Sequence, residues 1–199
     1  IAAHTKNPTG EWGGKAALTF GNYGRFDARA SLNVPIAEDV LAARIYAARE
    51  HYNGYFTNRV DDKHIGGQNR VSVRGTLLAT PSDAVEVNLK MFFVRDRSSA
   101  PGGDSAPDRT KLLYIGFNFE EPNDGPFRIG RDFPANHDTD QFGVISNISL
   151  KLAESWALKS VTGYIETDDF NDSDFDGSEL PFFPTFRLQS HRQFSQELR

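Results

Sequence analysis

From Phe26 to Val34 every second residue is apolar (Phe26, Ala28, Ala30, Leu32, Val34), and Asp27, Arg29, Ser31 and Asn33 stand between them. That period of two belongs to an extended strand with one apolar face and one polar face. The same alternation returns along the chain. Leu41, Ala43, Ile45 and Ala47 oppose Arg44, Tyr46 and Glu50. Val71, Val73, Gly75 and Leu77 oppose Arg70, Ser72, Arg74 and Thr76. Val85, Val87, Leu89, Met91 and Phe93 oppose Glu86, Asn88 and Lys90. Phe142, Val144, Ile148 and Leu150 share a face that Ile145 and Ser146 interrupt, and Phe194 and Leu198 repeat the alternation near the C-terminus. In "SWALKSVTGYIE", Leu158 and Tyr164 fall on one face but Val161 and Ile165 on the other, a conflict that a β-bulge would reconcile. Sixteen phenylalanines and seventeen glycines agree with β structure.

The connections fall into two classes. "PIAEDV", "TPSDA" and "AESW" are short turns. Residues 51–69, about 97–138 and about 167–191 are long connections, and long and short ones alternate. In an up-and-down sheet all long loops then lie at one end and all short turns at the other, with "NYGR" the one brief hairpin on the long-loop side. Within the second long stretch, "TKLLYIGFNFE" (110–120) reads as a structured part of a loop in preference to an extra strand.

Two environments satisfy such strands. A β-sandwich buries the apolar face against a second sheet. A membrane barrel turns it toward lipid and encloses the polar face. The apolar faces here are rich in Ala and Gly, which fill a dry core poorly, while the polar faces carry charges of both signs. No apolar run approaches the ~20 residues of a helical span, and the mean hydropathy of −0.51 is uninformative, because barrel strands alternate. The net charge of −5 argues against a nucleic-acid partner, and the lack of cysteine removes disulfide and thiol chemistry. The chain opens on "IAAHTKNP" and closes on "QFSQELR" in mid-alternation, so it reads as a piece of a longer protein.

The stretch "IAAHTKNPTGEWGGKAALTFGNYGRFDARASLNVPI" resembles the junction between plug and barrel in TonB-dependent outer-membrane receptors, through Thr5-Lys6-Asn7-Pro8 and the hairpin Gly21-Asn22-Tyr23-Gly24. "REHYNGYFTN", "RGTLLATPSDAVEVNL", "LKSVTGYIE" and "QFSQELR" extend the likeness over nearly the whole chain. The resemblance implies an all-β fold: an antiparallel up-and-down transmembrane β-barrel segment of about eight strands, an incomplete barrel, with long extracellular loops and short periplasmic turns. Residues 1–12 would hold the last plug strand (to about Pro8) and a linker, and residues 13–199 the N-terminal part of the barrel. It also implies the bacterial outer membrane as location, outer-membrane lipid and the plug as partners, TonB contact through a segment outside this chain, and uptake of a scarce ligand such as an iron–siderophore complex. No cofactor and no enzymatic activity are expected. The rivals are a passive porin-like channel, which has no plug, and a soluble glycan-binding β-sandwich, which needs no detergent.

Candidate site residues follow from the same reading. Arg29, Arg44, Arg70, Arg74, Glu86 and Lys90 face the polar side; pairing of the arginines with plug carboxylates is preferred to attraction of an anionic ligand. Tyr52 and Tyr55 in "YNGYF" fit an interfacial aromatic girdle or a ligand contact, and Phe182, Phe183 and Phe186 in "LPFFPTF" fit ligand contact or loop packing. Asp172, Asp174 and Asp176 with Gly177 match the opening of a calcium loop, but Phe183 stands where the bidentate Glu belongs, so a solvated acidic loop is the preferred reading. The five histidines have no metal-ligand spacing. No nucleophile elbow, phosphate loop or zinc-protease helix is present.

Overall fold

The computed structural model describes residues 5–99, 112–120, 122 and 125–199. In chain order the elements are β1 (Gly13–Gly21), β2 (Arg25–Ala37), β3 (Leu41–Tyr52), β4 (Phe56–Asn58), β5 (His64–Ile65), β6 (Gln68–Ser82), β7 (Val85–Ser99), α1 (Leu112–Phe117), β8 (Arg128–Ile129), β9 (Asn136–Ala153), β10 (Trp156–Asp174) and β11 (Pro184–Leu198). Eight of the strands form one antiparallel sheet in the order β1-β2-β3-β6-β7-β9-β10-β11. Each pairs only with the next, as an up-and-down meander requires. The sheet does not close: among the described residues β1 and β11 each keep one free edge. The turns β2–β3, β6–β7 and β9–β10 occupy one end, hereafter the turn end, and the long connections occupy the loop end.

Cross-strand partners share a face, so the register defines two continuous surfaces. On one, Leu18 pairs Ala28, Leu32 pairs Ile45, Val73 pairs Phe93, and Phe93 pairs Phe142. No second layer of described residues covers this surface: Leu18 is 64% exposed, Ile45 51% and Leu198 66%. A sandwich would bury these side chains. On the opposite surface the most buried polar groups of the sheet are Asp27, Asn33, Thr76 and Asn88. Along the middle of the strands the sheet therefore carries its large apolar residues on the open face and buried polar residues on the opposite one.

Several expectations change. Thr5 to Trp12 forms no strand; Thr5 to Glu11 runs irregularly over the polar face, where Asn33 Nδ2 donates to the carbonyl of Thr9 and Asn88 Nδ2 donates to Asn7 Oδ1. Residues 1–4, the start of the expected plug strand, lie outside the described residues. The strands reach further toward the loop end than hydropathy indicates, β7 to Ser99, β9 from Asn136 and β10 to Asp174. Arg95–Asp140, at 3.0 Å, and Arg97–Asp140, at 2.5 Å, tie β7 and β9 together there, and extensions polar but for Phe170 leave no alternation to read. The described part of 110–120 holds α1 and no strand. The β-bulge at Trp156/Ala157 does not bring Val161 and Ile165 to the apolar face. They remain on the polar face, in register with Asn147 and Gly143 on β9. There the Phe92 ring lies over Gly143, so close that a Cβ on Gly143 would sit 2.3 Å from Phe92 Cζ.

Candidate functional site

The apolar face ends toward the loop end in a border rich in aromatic residues. Toward the loop end its last apolar residue is Phe26 on β2, Phe93 on β7, Phe142 on β9, Phe170 on β10 and Phe186 on β11. Followed along the hydrogen-bonding direction, the level of Phe26 passes through His51, Asn69, Arg97, Asp138 and Phe170 to Leu188. Phe170 and Leu188 thus stand at the level of Phe26, and Phe93 and Phe142 lie four residues nearer the turn end. Five of the border residues are aromatic, and Phe26 also packs on Phe20 at 5.4 Å between ring centroids. The same face carries a charged band of Arg95, Asp140, Glu166 and Arg192, with Arg192 and Glu166 paired at 2.7 Å, and on β10 and β11 this band separates Tyr164 and Phe194 from Phe170 and Leu188. Both tryptophans of the chain, Trp12 and Trp156, stand exposed at the turn end.

The polar face holds every charged residue assigned to it from sequence. Arg29 bonds Glu50 at 2.5 Å and approaches Asp27, which Arg25 holds at 2.8 Å. Glu86 pairs in register with Ser149 near the turn end, and Lys90 with Thr76 and Ile145. Register brings Arg44, Arg70 and Arg74 together: Tyr46 is opposite Arg74, Glu50 opposite Arg70, and Arg44 opposite Thr76. These residues and Lys6 line a hollow of about 420 Å³.

At the loop end the long connections are knitted together. β4 pairs antiparallel with β5 and parallel with β8. Asn58 donates from Nδ2 to the carbonyl of Arg131, at 2.9 Å, and accepts from the Arg131 N–H at Oδ1, at 3.1 Å. Arg59 Nε donates to Glu179 across 120 residues of sequence. Ile65, Ile129, Ala135 and Ser178 are buried in this cluster.

The aromatic candidates separate. Tyr52 ends β3. Tyr55 packs on Phe56, Phe127 and Tyr23, and Tyr23 holds a left-handed backbone, φ 59°, in the first hairpin. Phe182, Phe183 and Phe186 each pair with a different ring, Phe117, Phe175 and Phe133. Sequence reasoning misses Tyr23 and Phe127, which share a cluster with Tyr55 only through long-range folding.

The acidic run is used internally. Asp172 accepts from the backbone N–H and the side chain of Asn136. Asp174 accepts from the Gly177 N–H, and Asp176 accepts from Ser178 and Phe183 N–H groups. Among the described residues no three His, Asp or Glu side chains converge on a point that would hold a metal ion. Asp174 is buried, with Asp176 and Asp132 carboxylates beside it and the buried Arg131 facing the run; burial first and then these acids push its pKa up to about 6. The folded chain thus holds this proton more tightly than the unfolded one. The stabilisation is full below about pH 4 and is lost as pH rises through about 6. Proteolytic protection of residues 174–184 is expected to fall between pH 4 and 7, and Asp174→Asn to flatten that profile. An unchanged profile in the variant would place the titration elsewhere.

No family model and no curated protein matches the chain.

Proposed function

We propose that the chain is part of an outer-membrane β-barrel of the TonB-dependent receptor type, which imports a scarce ligand, an iron–siderophore complex being the favoured class. The observation that carries this reading is the exposed, aromatic-edged apolar surface opposite a charged face. A barrel strand tilts about 35–45° to the membrane normal. On β7 the apolar positions run from Val85 to Phe93. That is about 27 Å along the strand, or roughly 22 Å along the normal at this tilt, close to the ~25 Å apolar band of such barrels. Aromatic girdles border that band at both levels. The phenylalanine-rich border would form the outer girdle and Trp12 and Trp156 the inner one, in place of the "YNGYF" tyrosines.

Polar cover for the opposite face favours a plugged barrel over an open porin. The Thr5–Glu11 segment already lies on that face and hydrogen-bonds to it. A plug that continues this segment would occupy the lumen. The loop cluster would then stand outside the cell, and the three short turns in the periplasm.

Tryptophan reports on the geometry directly, because the chain has only two. In vesicles of brominated lipids, bromines near the headgroups are expected to quench both tryptophans strongly, and bromines near the bilayer centre weakly. Equal emission with and without brominated lipid would end the membrane reading.

A further inference from the structure

The hollow on the polar face is built almost wholly of donors. Its cations are Arg44, Arg70, Arg74 and Lys6, and its hydroxyls include Tyr46 and Ser72. The one carboxylate in its wall, Glu50, is engaged by Arg29 at 2.5 Å. Arg44 donates only to Ser31 Oγ, at 3.1 Å, and Arg70 reaches Asp96 no closer than 3.8 Å. Arg74 and Lys6 have no ion pair among the described residues. A plug-derived N-terminal segment is the expected source of acids to neutralise these arginines. Where the segment crosses the hollow it supplies Thr5 and Lys6 instead, a further donor and a further cation.

An enclosed surface with four positive charges and one committed carboxylate raises the local concentration of anions. Guanidinium groups add bidentate geometry suited to carboxylate and phosphate oxygens. A volume of about 420 Å³ lies in the range of small-molecule sites and exceeds what one monovalent anion fills. We infer that the hollow beneath Lys6 binds a compact polyanion with at least two carboxylate or phosphate groups, held between Arg74 and Arg44. The inference rests on the import reading only for the route by which such an anion arrives.

Isothermal titration of the full chain in detergent micelles tests it, with citrate and pyrophosphate as probes and acetate as the monovalent control. Saturable 1:1 binding of citrate or pyrophosphate is expected, at least tenfold tighter than acetate. Arg74→Ala and Arg44→Ala are each expected to weaken it about tenfold or more, Arg74→Lys to weaken it less, and Lys159→Ala, on the same face outside the hollow, to leave it unchanged. If only one probe binds, it fixes the anionic group as carboxylate or phosphate. Failure of both probes to saturate overturns the site, as does an equal response in Lys159→Ala and Arg74→Ala. Should Arg74→Ala fail to fold, Arg74→Lys carries the comparison, and unaltered affinity there and in Arg44→Ala counts against the site. Tryptophan quenching by brominated lipid tests the membrane reading separately, so loss of one does not imply loss of the other.

Discussion

Leu32→Arg is expected to destabilise the chain in a lipid bilayer by ~2–4 kcal/mol, the cost of a cation at the midplane of a barrel's outer face. Leu32 sits on β2 between Gly14 and Ile45, in the middle of the apolar surface, and is 46% exposed although nothing polar surrounds it. In lipid that exposure is favourable, and a guanidinium there must snorkel or drag water with it. Thr19→Arg is the matched control. Thr19 pairs in register with Asp27 on the polar face, where a new cation meets carboxylate and water. Urea titration of vesicle-reconstituted protein should separate the two variants by at least a factor of ten in the folding equilibrium. In a soluble sandwich the ordering differs: removing an exposed Leu would raise solubility and cost little. Equal stability of Leu32→Arg and parent in bilayers would therefore reverse the orientation of the sheet.

The contrast between these two positions is legible in the amino-acid order alone, because strand periodicity is strictly two and each residue declares its face. Eight strands, their antiparallel order and the alternation of short and long connections follow from that rule. What stays hidden depends on distance in sequence. β4 and β8 pair through two residue pairs, Thr57–Arg128 and Asn58–Ile129, across some seventy positions, too short a match to leave a periodic trace. The charged extensions of β7, β9 and β10 look like loop by hydropathy, since their strands are held by ion pairs on both faces. The arginines of the hollow are legible singly. Their convergence depends on the β3–β6 register, and the presence of Lys6 depends on where an irregular segment crosses the sheet. The acidic run shows the opposite failure. "DSDFDG" has the spacing of a calcium loop, but Asp172 and Asp174 belong to the end of a strand, which directs carboxylates along a ladder instead of around a centre.

The base of the 52–68 connection sets a second large effect. Gly54→Ala is expected to cost more than about 3 kcal/mol and to release the loop cluster from the sheet. Gly54 has φ +97°, a conformation in which an L side chain is strained. A Cβ there would also lie 2.0 Å from the carbonyl oxygen of Ile65 and 2.8 Å from the amide nitrogen of Gly67. Both are backbone atoms, so no rotamer change relieves the collision. The two arms of the loop must part, and Ile65, buried in the β4–β5–β8 cluster, must move with them. Asn58 then loses its position against both backbone groups of Arg131, and an unsatisfied buried pair of that kind costs a further ~1–3 kcal/mol per group. Backbone amide exchange resolves the consequence by region. Protection at Asn58 and Arg131 should fall together in Gly54→Ala, while the amides of β9 and β10 near the turn end keep theirs. Uniform loss of protection through the sheet would mean that the loop cluster and the strands unfold as one unit. Undiminished protection at Arg131 would mean that the crossing of Gly54 over Ile65 does not hold the cluster in place.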